Sequence, residues 1–162
     1  MAVAIALLAC ATDVRSRRIP NVLTFGSAAA GLLFHAFWGD GVLFSAAGWG
    51  MGAVAFLIPF ALGGLGAGDV KLMAALGAWL GPMQAFWLAL YTGIAGGVLA
   101  LVVAALRGYL KQALSNVWLL LAHWRVSGLR PLHEVSLEGS AGPRLAYAFP
   151  ILVGTILAIW LH

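Results

Sequence analysis

Two of the five acidic residues in this chain stand where a carboxylate is hard to accommodate. Asp13 lies where the first apolar run meets Arg15, Arg17 and Arg18. Asp69 lies in Gly-Leu-Gly-Ala-Gly-Asp-Val-Lys, Gly64 to Lys71, at the mouth of another apolar run. An ionisable group at the edge of a membrane-length segment is costly, and it signals function by default. Two carboxyls brought within a few ångströms cannot both ionise, so they share a proton. One can then act as general base on a water while the other, protonated, polarises a peptide carbonyl. Peptide hydrolysis by that route needs no metal, cofactor or nucleophilic serine. His35, His123, His133 and His162 have no metal-ligand spacing, and the lone Cys10 excludes a disulfide framework or a multi-cysteine metal site.

Each residue also has a plainer reading. Gly64, Gly66 and Gly68 permit positive φ and close approach of a neighbouring backbone, so an extended substrate strand could lie along them. They equally suit a flexible connection, with Asp69 as N-cap of a helix starting at Val70. Asp13 suits a helix-end partner for Arg17. Lys71 could support Asp69 or contact a substrate carbonyl, and a snorkelling interface lysine fits as well. Asn21 reads most simply as a cap of the second apolar segment, with a hydrogen bond near the site as the alternative.

The elements that must position these groups follow from composition. Hydrophobic residues make up 63% of the 162, charged residues 9%, and mean hydropathy is +1.00. Such a chain lacks the polar surface that a water-soluble core requires, and the bilayer becomes its solvent. A span needs about 20 helical residues. Gly41–Leu62 and Met83–Leu106 meet that length, and Val22–Trp38 and Leu145–Leu161 just reach it. Gly81-Pro82 divides the run Leu72–Leu106, leaving Val70–Leu80 as a short fourth span. Met1–Thr12 is short too, so its helix is expected to continue through Asp13 toward Arg17. It then starts part-way down the membrane, or residues precede Met1. Basic residues follow this run instead of preceding it, unlike a cleaved signal peptide.

The expected fold is therefore all-α and polytopic, a six-helix transmembrane bundle forming a single domain over 1–162. Threading six spans puts all nine cations on one side, which the positive-inside rule makes the cytoplasm, with both termini outside. Asp13 and Asp69 then share one cytoplasmic depth. The net charge of +4 records this orientation and contact with anionic lipid headgroups, and does not point to nucleic acid. Within the loop 107–144, Tyr109–Val126 reads as an amphipathic helix on the cytoplasmic interface. Gly48/Gly52 and Gly93/Gly97 are small-xxx-small pairs suited to close helix packing, and Pro59 is expected to kink the third span.

Asp13-Val-Arg-Ser-Arg-Arg-Ile-Pro-Asn21 resembles the first aspartate motif of the type IV prepilin peptidases. Gly66-Ala-Gly-Asp69-Val-Lys-Leu72 resembles their second, of Gly-x-Gly-Asp type. The segment Tyr147-Ala-Phe-Pro-Ile151 with Gly154 is similar to the final span of the small members that serve tight-adherence (Flp-type) pili. The resemblance implies cleavage of prepilin or pseudopilin leaders, ahead of the substrate's hydrophobic helix, at the cytoplasmic side of a bacterial inner membrane. Asp13 and Asp69 carry over as the catalytic pair. The four-cysteine cytoplasmic domain of larger members has no counterpart here, so methyltransferase activity is not expected. Presenilin-type proteases pair Gly-x-Gly-Asp with Tyr-Asp and Pro-Ala-Leu motifs. This chain has Thr12 before Asp13 and no Pro-Ala-Leu, which disfavours that branch.

Basic leaders would meet a basic rim at Arg15, Arg17 and Arg18, unless anionic headgroups neutralise it. The competing reading is a non-enzymatic membrane subunit or small proton- or cation-coupled transporter. That reading calls for polar residues in mid-membrane, and the span interiors offer almost none.

Overall fold

A computed structural model describes residues 1–62, 64–112, 114–115, 117–119 and 147–162. Six helices organise them: α1 (Ala2–Ser16), α2 (Asn21–Phe37), α3 (Val42–Ala61), α4 (Ala67–Leu80), α5 (Pro82–Leu106) and α6 (Ala148–Leu161). There is no strand among the described residues. Helices α3 and α5, of 20 and 25 residues, are long and apolar enough to cross a membrane, while α2 and α6 are shorter apolar helices. Residues 110–112, 114–115 and 117–119 are also helical. Gly63, and residues 120–146 with the rest of the expected amphipathic helix and loop, fall outside the described residues.

The helix ends follow local chemistry. The first helix does run past Asp13, and it stops where Arg17 turns left-handed at φ 52°. Gly81 takes φ 80° and Pro82 opens α5, so the Gly-Pro pair separates α4 from α5 as expected. The fourth helix departs from expectation. It begins at Ala67, three residues ahead of Val70, and Gly66 is its N-cap. Asp69 is thus inside the first turn, where its carboxylate reaches back to the Gly66 N–H at 3.1 Å.

Helix α4 is the centre of the molecule. It touches each of the other five helices, which surround it in the order α2, α3, α5, α6, α1. Every residue from Leu72 to Ala78 is buried. Small residues make this possible. A Cβ on Gly48 would strike the Gly77 carbonyl, and one on Gly52 the Met73 carbonyl, so α3 and α4 meet backbone to backbone. Ser45 Oγ donates to the Ala78 carbonyl at 2.7 Å across the same seam. On the other side, Trp79 Nε1 donates to the Ser27 carbonyl at 2.8 Å, tying α4 to α2.

The second expected glycine pair behaves differently. Cβ atoms on Gly93 and Gly97 would meet nothing within 4 Å among the described residues. Contact between α5 and α6 runs instead through Gly154 against Thr92 and Gly96 against Tyr147. The correct residue type was present, on the wrong face of the helix.

The outer surface carries large apolar side chains, among them Leu7, Val22, Phe37, Leu43 and Trp160, all strongly exposed. The interior is built largely from alanine and glycine. So many exposed large apolar side chains are what lipid, not water, would cover.

Candidate active site

Asp13 occupies the last turn of α1, and Asp69 the first turn of the central helix. Since α1 packs on α4 and α6, the last turn of α1 and the first turn of α4 lie at the same end of the described helices. The two carboxyls are close enough for the charge of Asp13 to act on Asp69. Asp13 is half-buried and Asp69 is buried at 9% exposure, so the pair sits at a boundary and not in open solvent.

Each carboxylate is held by a backbone N–H at the start of a helix. Asp69 Oδ2 accepts from Gly66, and the Asp69 N–H returns a bond of 3.1 Å to the Gly66 carbonyl. The Asp13 Oδ2 atom accepts from the Ala148 N–H at 3.4 Å, in the first turn of α6. Orphan N–H groups at helix starts require such acceptors. Asp13 forms no ion pair with Arg17 among the described residues. Arg17 instead closes the helix by donating its backbone N–H to the Asp13 carbonyl at 2.7 Å.

The glycines act through close approach, without the positive φ expected of them. Gly66 takes φ −84°, and the positive-φ glycines among the described residues are Gly41, Gly81 and Gly108. Gly68 faces the Ile19 side chain, whose Cβ would be 3.5 Å from an added Gly68 Cβ. The α1–α2 connection therefore lies directly beside Asp69. Gly66 is exposed, so among the described residues the approach to Asp69 from that side is uncovered.

Lys71 and Asn21 are brought together, but at α2. Lys71 Nζ donates to Asn21 Oδ1 at 3.0 Å and lies 5.4 Å from the centre of the Phe25 ring. Two residues beyond Asp69 on a helix, Lys71 points away from it. Nor does Asn21 cap α2. Pro20 holds the N-cap position and Asn21 opens the helix, so its side chain is free to accept from Lys71.

The start of α6, expected only as the head of the final span, joins the site through its Ala148 N–H. Tyr147 lies within reach of the Asp69 charge. Its ring stands edge-on to Phe56 at 6.2 Å and over Gly96. An aromatic at the head of an apolar span is a common interface residue, and its position in the sequence does not show that it lies within reach of the Asp69 charge.

The arrangement sets two carboxyls of unequal exposure at the same end of the described helices, each accepting a backbone N–H. No curated protein and no solved structure gives a significant match to the chain. The family model of the type IV leader peptidase family matches residues 1–101, a stretch that includes both aspartates. On that match, over more than half its length, the chain belongs to the type IV leader peptidase family, a family of peptidases.

Proposed function

We propose that this protein is a membrane aspartic endopeptidase that removes the leader peptides of type IV prepilins or pseudopilins. It works at the cytoplasmic face of a bacterial inner membrane, as one domain of six spans with the segment 107–144 on the cytoplasmic side. The observation that carries the reading is that Asp13 and Asp69 lie at one end of the bundle, with Asp69 within the field of Asp13. Family membership supports the peptidase class.

In the proposed reaction the pair shares one proton. The ionised carboxyl takes a proton from a bound water as that water attacks the scissile carbonyl. The protonated partner hydrogen-bonds the carbonyl oxygen and stabilises the charge that develops on it. Collapse of the tetrahedral intermediate passes a proton to the leaving amine, and the pair returns to its single-proton state. Gly66 and Gly68 leave the backbone beside Asp69 unshielded by side chains of their own, so an extended substrate segment can lie there. The substrate's hydrophobic helix remains in the bilayer against the bundle. Anionic headgroups offset the basic rim of Arg15, Arg17 and Arg18 toward a basic leader.

The test is cleavage of a panel of prepilins by the full chain in membranes, with the cut site read by mass. Asp13→Asn and Asp69→Asn each lower the rate by at least about 10³-fold, in the range expected when a general acid or base is lost. Both variants still insert in the membrane. A variant that cleaves at the parent rate removes its aspartate from the reaction, and strong inhibition by a chelator points to a metal instead.

A further inference from the structure

We propose that Tyr147 is a positioning residue for the Asp13–Asp69 pair, an inference that rests on the reading just given. Its ring, seated on Gly96 of α5, fixes the first turn of α6 so that the Ala148 N–H meets Asp13.

Four observations converge on this residue. Ala148, the neighbour of Tyr147, is fully buried and donates its N–H to Asp13. The phenol lies against Gly96: a Cβ there would collide with the hydroxyl and come within 2.7 Å of Cζ and 3.1 Å of Cε2. The edge of the ring meets Phe56 of α3, with the planes at 68°. Tyr147 also lies within reach of the Asp69 charge. One side chain therefore touches α3 and α5, stands at the head of α6 next to the N–H that meets Asp13, and lies within reach of the Asp69 charge.

The geometry explains why a seat is needed. The hydrogen bond to Asp13 comes from backbone, so its direction is set by how the first turn of α6 is placed. A helix start has no intrahelical acceptor for its first N–H groups, so whether one of them meets Asp13 depends on how tertiary packing places that turn. The ring wedged over Gly96 is the contact that fixes this first turn most directly, beside the buried Ala148, Pro150 and Ile151. Gly96 is required because any side chain would occupy the place of the phenol. Tyr147 lies beyond the stretch matched by the family model, so its placement is a tertiary observation.

The experiment measures kcat, KM and the pH profile of kcat for the full chain in proteoliposomes, using a prepilin that the parent cleaves. Rates are normalised to folded, inserted protein. Tyr147→Ala lowers kcat by roughly 10- to 100-fold, the scale of a misplacement of about 1 Å, and shifts the pH at which kcat is half-maximal. KM stays within about twofold of the parent, and Tyr147→Phe, which keeps the ring, stays within about threefold in kcat. Gly96→Ala displaces the ring and reproduces the kcat loss. Gly96→Ala combined with Tyr147→Ala is no worse than Tyr147→Ala alone, because no ring remains to displace.

Additive losses in the double variant, or a Tyr147→Ala protein with parental kcat and pH profile, overturn the proposal. Should Tyr147→Ala fail to insert, Gly96→Ala decides: lowered kcat at normal insertion supports the seat, and unchanged kcat refutes it. Asp13→Asn in the same assay separates the two levels. If Asp13→Asn still cleaves, the dyad reading fails. If it is inactive while Tyr147→Ala is fully active, the positioning role alone fails.

Discussion

Asp13 and Asp69 take their hydrogen bonds from backbone N–H groups at the starts of two different helices, α6 and α4. Neither is committed to a cation partner among the described residues, which leaves each carboxyl an oxygen for water or substrate. Lys71 has the opposite character. Its ammonium is engaged by Asn21 and the Phe25 face, so it anchors α4 to α2. Asn21→Ala is accordingly expected to leave the initial cleavage rate within about threefold of the parent. The exposed bond it removes contributes only about 0.5–1.5 kcal/mol. A loss as deep as that of Asp69→Asn would put the Lys71–Asn21 pair into the chemistry.

At the scale of elements, the short α4 holds its place by backbone contact. Gly48 and Gly52 of α3 lie against the carbonyls of Gly77 and Met73, where no side chain fits without moving a helix. Gly52→Val is expected to destabilise the protein by about 1–3 kcal/mol, the usual cost of overpacking. Gly97→Val, with open space before it and a helix propensity no worse than that of glycine, should cost little and leave cleavage intact. Thermal unfolding of the two variants in the same detergent checks the contrast; equal losses would mean that the α3–α4 seam can spread. Gly81 is a separate case. At φ 80° and ψ 174°, with the Phe44 ring over it, Gly81→Ala meets both backbone strain and a collision. A loss of about 1–3 kcal/mol from strain alone is expected by the same measurement.

For the whole molecule the issue is which end faces which compartment. The proposed orientation puts Asp40 outside and the dyad on the cytoplasmic side. In a Cys10→Ala background, Asp40→Cys should react with a membrane-impermeant thiol reagent in intact cells. Ser16→Cys should react only after the membrane is opened. The reverse pattern would invert the molecule and place the candidate site on the wrong face for a leader peptidase.

Hydropathy and a few charges determined the helices, because backbone in lipid must pair with itself and charged residues are driven to the span ends. That logic located α1 through α3 and α5 to within a residue or two, made the Gly81-Pro82 break legible, and singled out Asp13 and Asp69 as the acids to watch. Only the tertiary structure decided that α4 is the hub, that Gly48/Gly52 packs while Gly93/Gly97 does not, and that the head of α6 reaches Asp13. The reason is physical. A helix that is apolar all round carries no polar stripe to say which face meets a neighbour, so only close fit between surfaces chooses the partner.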